Sequence, residues 1–121
     1  MEQQKINEIC REWQSRLNLK DWDISVRFVP LRNMNKRYWG HCSWNLEEKI
    51  ADIELLVPED SPSNAMRPYD LEQTLVHELL HLHFAPFDAR SENEQLAQEQ
   101  AINAISKTLV SLGRINNEAA G

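Results

Sequence analysis

The chain contains the motif His77-Glu78-Leu79-Leu80-His81, in which two histidines stand four residues apart and a glutamate directly follows the first. On a helix, residues four apart lie one above the other, so both imidazoles can reach one metal ion. The glutamate projects a short rotation away, where it can act as a base toward water. This spacing predicts the metal-binding part of a zinc hydrolase.

The residues around the motif predict a buried helix, because apolar side chains cover nearly its whole circumference. Only one stripe of this helix is polar, and it carries Thr74, His77, Glu78 and His81. Buried polar groups are costly unless they have partners. A metal ion would provide partners for this stripe, and a hydrogen-bond network without metal is the alternative.

A catalytic zinc site has three protein ligands and one open position, so a third ligand is needed. Glu92 and Glu94 open the next predicted helix, where carboxylates favour the helix dipole and Glu94 completes a capping box with Ser91. Glu99 lies two turns further, beside the apolar stripe, and can face the motif helix across an antiparallel helix pair. A solvated surface charge is the alternative role for Glu99.

Three other residues near the motif are weaker ligand candidates. His83 is two residues past His81 and points to the other side of the helix, which indicates a packing or surface histidine. Asp88 is interpreted as a loop residue. His41 lies in strand-like sequence, from where it can approach the site or simply end a strand.

The whole chain of 121 residues predicts one domain with an α+β fold. An amphipathic N-terminal helix comes first, and strand-like runs follow at 22–29, 38–45 and 50–57, the last two joined as a hairpin. These runs predict a small, mostly antiparallel sheet of three or four strands. Asp70 with Gln73 suits the start of the motif helix. A long C-terminal helix then runs to Leu112, with Gly113 as its stop and 114–121 as a flexible tail.

The composition favours a soluble cytoplasmic protein. A net charge of -6 without a basic cluster argues against nucleic acid as the main partner. The start resembles no signal peptide, and no apolar run is long enough to span a membrane. Cys10 and Cys42 are predicted to be buried thiols of a reducing compartment.

The H-E-L-L-H motif with a glutamate in the following helix resembles the gluzincin metallopeptidases, in particular the small single-domain minigluzincins. The resemblance covers about residues 38–105. It implies one zinc ion per chain, bound by His77, His81 and Glu99, with Glu78 as general base in the hydrolysis of a peptide or protein. Many gluzincins carry an acidic residue four positions after the third ligand, where this chain has Asn103, which can still accept a hydrogen bond from an imidazole.

Gluzincins usually place an oxyanion donor after the third ligand, but only one helix and a short tail follow Glu99. The family also implies an extended substrate on an edge strand beside the motif helix, predicted here at 50–57. Three alternatives are a zinc-binding regulatory or adaptor module without turnover, a zinc hydrolase of non-peptide amides, and a helical interaction domain without metal. The candidates for the missing donor are Tyr38, His41, Tyr69 and Arg90.

Overall fold

The computed structural model describes residues 3–34, 39–61 and 68–120. Residues 118–120 are described by their backbone alone. These residues form three helices and three strands, which confirms the predicted α+β class. Within this part of the chain, no helix combines the length and the apolar character that crossing a membrane requires. In chain order the elements are α1 (Gln3–Arg16), β1 (Asp23–Val29), β2 (Gly40–Asn45), β3 (Ile50–Leu56), α2 (Leu71–Phe84) and α3 (Glu92–Ala120).

The sheet has the order β1-β3-β2, so the last strand of the chain lies at its centre. β2 and β3 form the predicted antiparallel hairpin, whereas β1 pairs with β3 in parallel. The prediction of a mostly antiparallel sheet is therefore wrong, because the sheet is mixed. The physical reason is burial. Ile53, Leu55 and Leu56 of β3 are fully buried, and the central position gives this apolar strand a neighbouring strand at each of its two edges.

The three helices pack around one apolar core. α1 buries Ile6, Cys10 and Trp13, and the motif helix α2 is buried along most of its length, as predicted. Both cysteines are unpaired and buried. Burial raises the pKa of the Cys10 thiol to about 11 and that of the Cys42 thiol to about 12, so both thiols are protonated at neutral pH.

The predicted helix starts are present. Asp70 caps α2, because its Oδ1 accepts a hydrogen bond of 3.1 Å from the backbone N–H of Gln73. At the start of α3, Ser91 Oγ accepts from the N–H of Glu94 at 3.1 Å, and Glu94 Oε2 accepts from the N–H of Arg90 at 2.9 Å. These bonds satisfy amide groups that the first turn of a helix otherwise leaves without partners.

Gly113 does not end the last helix, and that prediction is wrong. A glycine that stops a helix normally adopts a positive φ, but no described glycine does so here. α3 instead continues to Ala120, so the predicted tail is helical as far as that residue. Gly113 faces Trp13 and Arg16 of α1, which pack against the helix at this point.

Candidate metal centre

Two helices bring together the three residues predicted to bind a metal. His77 and His81 stand one turn apart on α2, and their ring centroids are 5.2 Å apart. Glu99 reaches them from α3, with its Oε1 2.7 Å from His77 Nε2 and its Oε2 3.4 Å from His81 Nε2. One ligand atom from each of the three residues lies within 4.8 Å of the other two. The chain therefore gathers two imidazole nitrogens and one carboxylate at a single point.

This donor set fits a zinc ion. Two histidines and one glutamate are a common ligand set of catalytic zinc, which leaves a fourth position open for water. The His77 and His81 side chains are 16% and 26% exposed, and that of Glu99 is 46% exposed. The cluster is thus held by the fold on one side and accessible from solvent on the other.

His77, His81 and Glu99 shift one another's pKa values. Burial lowers the pKa of His77, but the hydrogen bond to Glu99 and the nearby carboxylates raise it more, so the net shift is upward. Burial lowers the pKa of His81, and the charge of Glu99 only partly opposes this. The hydrogen bond from His77 holds the pKa of Glu99 below its usual range. Glu99 is therefore ionised at neutral pH, which is the form that binds a metal.

Asn103 lies one turn after Glu99 on α3, and the interaction of its side chain with His77 raises the pKa of that imidazole. The side-chain amide of Asn103 carries an oxygen, which is a group that can accept a hydrogen bond from an imidazole. Asn103 therefore lies where the sequence predicts a residue that orients His77.

Glu78 lies beside the cluster and is only 7% exposed. Burial raises the pKa of its carboxyl group to about 7, the charge of Glu99 adds to this effect, and His77 opposes it. An open cleft of about 550 Å³ runs past this carboxyl group. The walls of the cleft are formed by β2, by α2 and by the side chains of Glu99, Asn103 and Lys107 on α3.

Gly40 is a site residue that sequence analysis missed. A Cβ atom at this position would lie 3.1 Å from Glu78 Oε2 and 2.8 Å from Thr74 Cγ2, which is too close for any larger residue without movement. The backbone of β2 therefore passes directly against the Glu78 side chain. A glycine inside a strand-like run is a signal of such a close approach and could have indicated this contact.

The edge strand beside the motif helix is β2. β3 has hydrogen-bonded neighbours on both sides, so the prediction that 50–57 is the edge strand is wrong. The apolar character of β3 places it at the centre of the sheet. On β2, the exposed Trp44 stacks on His81 with ring centroids 6.2 Å apart and planes inclined by 21°.

Three of the four candidate oxyanion donors, Tyr69, His41 and Arg90, are described by the structure, and none of these three lines the cleft. The Tyr69 hydroxyl donates to the carbonyl oxygen of Leu56 at 2.8 Å. Its pKa is raised, mainly by burial. His41 is exposed, with Nδ1 3.9 Å from Glu54 Oε1, although its charge still lowers the pKa of His81. Arg90 is exposed beside Asp88 in the loop between α2 and α3. Tyr38 lies outside the described residues.

The other histidine of the motif helix has a separate role. His83 Nε2 lies 2.7 Å from the carbonyl oxygen of Leu17, on the opposite side of α2 from the cluster. Asp88 lies in the connecting loop, and Glu94 is engaged in the cap of α3, as the sequence predicts. Of the acidic residues considered as third ligands, only Glu99 contacts the motif histidines among the described residues.

Fold and site together define an α+β domain in which a two-histidine, one-glutamate cluster lies beside a buried glutamate. Comparison of the chain with known protein families, curated proteins and solved structures found no match. The assignment of function therefore depends on the chemistry of the site.

Proposed function

We propose that the protein is a zinc-dependent metallopeptidase of the gluzincin type, with one zinc ion bound by His77, His81 and Glu99. The observation that carries this proposal is the convergence of these three ligand atoms within 4.8 Å of one another, beside a buried glutamate. A zinc ion at this site supplies Lewis-acid chemistry, because it lowers the pKa of water and polarises a carbonyl oxygen.

Glu78 is the general base in this proposal. It directly follows a metal ligand, lines the cleft and is nearly buried, with the backbone of Gly40 close to its carboxylate. The carboxylate takes a proton from the attacking water and passes it to the leaving amine. Asn103 contributes indirectly in this proposal, because its side chain interacts with His77 and can help to orient that ligand.

A peptide is the substrate class that the edge strand supports. Among the residues that the structure describes, β2 pairs only with β3, so its other edge can form backbone hydrogen bonds with an extended chain. A peptide added there passes Gly40, where no side chain separates the strand from Glu78. Trp44 offers an exposed aromatic surface beside His81 for an apolar residue of the substrate.

The proposed location is the cytoplasm, where thiols remain reduced. Cys10 and Cys42 are both unpaired and buried, which fits a reducing compartment. The net charge of -6 fits a peptide substrate better than a nucleic-acid backbone, since binding phosphates requires concentrated positive charge.

The test combines zinc content with peptide cleavage. Purified protein is reconstituted with zinc, its metal content is measured by elemental analysis, and cleavage of a mixed peptide library is followed by mass spectrometry. We expect one zinc per chain and cleavage by the wild type. Glu78→Gln should keep the zinc and lose activity by about 10² to 10⁴-fold, the usual contribution of a general base.

Two histidine variants provide the matched comparison. His77→Ala removes a ligand and should lose stoichiometric zinc, whereas His83→Ala removes a histidine from the other side of the same helix and should keep both zinc and activity. Protein that binds no stoichiometric zinc, or cleavage that survives in Glu78→Gln, contradicts the proposal. Zinc binding without cleavage favours the alternative of a zinc-binding regulatory or adaptor module. One observation supports this alternative: Tyr69, a candidate oxyanion donor, donates its hydroxyl hydrogen bond to Leu56 and not into the cleft.

A further inference from the structure

α3 presents a row of three polar side chains to the cleft. Glu99, Asn103 and Lys107 follow one another at four-residue intervals and all line it. The rise of a helix places Lys107 about 12 Å from Glu99 along the axis. An extended peptide covers this distance with about three or four residues. A substrate bound at the cluster can therefore reach Lys107 with a group a few residues from the reacting bond.

Lys107 is the only lysine or arginine among the described residues that line the cleft. It is exposed, and within the described part of the chain it forms no ion pair. Asp70, an acidic residue that also lines the cleft, is already paired with Arg114, whose nitrogens lie 2.8 and 2.9 Å from its two carboxylate oxygens. The ammonium group of Lys107 can therefore bind an anionic group of a ligand.

We propose that Lys107 binds a carboxylate of the substrate and so gives the site a preference for peptides with an acidic group about three residues from the reacting bond. The inference rests on the proposed peptidase function and deepens it. The carboxylate belongs either to an aspartate or glutamate side chain or to the C-terminus of the peptide. The side-chain amides of Gln73 and Asn103 also line the cleft and can donate hydrogen bonds to the same group.

A charged partner for Lys107 has a measurable but limited effect. Exposed ion pairs contribute roughly 0.2 to 1 kcal/mol, so the preference at Lys107 should reach about fivefold in affinity. High salt should weaken it, because exposed charges are screened. This salt dependence separates a charge effect from an effect of side-chain size.

The test measures binding, so it does not depend on turnover. The probes are alanine-based phosphinic peptides of six residues, in which the phosphinate replaces the reacting bond and can bind zinc. A single glutamate or glutamine is placed at each position in turn, and each peptide is made with a free and with an amidated C-terminus. Dissociation constants for the zinc-loaded protein are measured by calorimetry at low and at high salt.

We expect one position at which the wild type binds the carboxylate about fivefold more tightly than the matching amide. Lys107→Met should remove this preference, Lys107→Arg should keep it, and Lys20→Met should leave it unchanged because Lys20 is exposed outside the cleft. The free and amidated peptides distinguish a terminal carboxylate from a side chain.

Equal binding of acid and amide at every position overturns the role of Lys107 and leaves the peptidase proposal intact. A preference for the carboxylate that persists in Lys107→Met also overturns the role of Lys107 and leaves the peptidase proposal intact. Failure of the zinc-loaded protein to bind any phosphinic peptide counts against the peptidase proposal itself, and the inference for Lys107 falls with it. These outcomes are distinguishable in one set of measurements.

Discussion

Gly40 and Glu78 lie so close together that a Cβ atom on Gly40 would be 3.1 Å from Glu78 Oε2. This contact joins the edge strand β2 to the motif helix α2. The position of the proposed base is therefore set by the sheet as well as by its own helix. A peptide on the edge of β2 would meet the base where the strand has no side chain.

If the protein is the proposed zinc peptidase, Gly40→Ala should reduce its turnover and leave zinc binding unchanged. The added methyl group meets Thr74 and Glu78, and overpacking of this kind costs about 1 to 3 kcal/mol of stability. A displacement of the base by about 1 Å can lower turnover by about 10²-fold. Turnover, zinc content and the free energy of unfolding are measured together. Unchanged turnover in a folded, zinc-loaded variant would show that the contact does not position Glu78.

Gly113→Ala is the matched substitution in a place with room for a methyl group. Its Cβ would lie 3.6 Å from the nearest Arg16 nitrogen and 3.7 Å from Trp13, which are ordinary contacts. Because glycine is unfavourable inside a helix, we expect the variant to be more stable by about 0.5 to 1 kcal/mol. Denaturant unfolding provides the measurement. A loss of stability would indicate that α3 does not continue through this residue.

Glu99→Ala and Glu94→Ala separate metal binding from helix capping. Glu99 is the proposed third ligand, so its loss should lower zinc affinity by more than about 100-fold. Loss of a residue that only supports a ligand lowers metal affinity by about 10- to 100-fold. Loss of Glu94 removes the hydrogen bond to the Arg90 N–H and should cost about 1 kcal/mol of stability with zinc affinity unchanged. Competition with a chromogenic chelator gives both affinities. Equal zinc affinities would exclude Glu99 as the third ligand.

Asp70 should make the stability of the protein depend on pH in the acid range. The hydrogen bonds from Arg114 lower the pKa of Asp70 below its ordinary value of 3.8, so the carboxylate is favoured in the folded state. Its contribution is complete above the pKa of the unfolded chain and is lost as pH falls through the lower pKa of the folded state.

Asp70→Asn keeps a good N-cap but removes the charge. The stability difference between wild type and Asp70→Asn should be constant above about pH 5 and should shrink below about pH 4. Asp70→Ala, which also loses the cap to Gln73, should cost about 1 kcal/mol more than Asp70→Asn. Acid unfolding curves measured in parallel provide the comparison. A difference that stays constant down to pH 2 would contradict the pairing with Arg114.

Local sequence was sufficient for the features that depend on near neighbours. The polar stripe of α2 follows from helical periodicity, and the caps at Asp70 and Ser91 follow from side chains that bond amides three residues away. The bounds of the three strands also agree closely with the alternating pattern. The sequence also favours Glu99 as third ligand, because Glu92 and Glu94 lie in the first turn of α3, where capping explains a carboxylate.

Only the tertiary structure decided which strand is central, how α3 ends and what lies against the base. Strand order depends on which strand gains most from being covered on both sides, and here that strand is β3. Gly113 is helical and lies beside Trp13 and Arg16 of α1, a neighbourhood that no local pattern reveals. Gly40 and Lys107 come to the site from elements distant in sequence from the motif. The motif and its helix were thus determined by the sequence, whereas the cleft around them exists only through long-range packing.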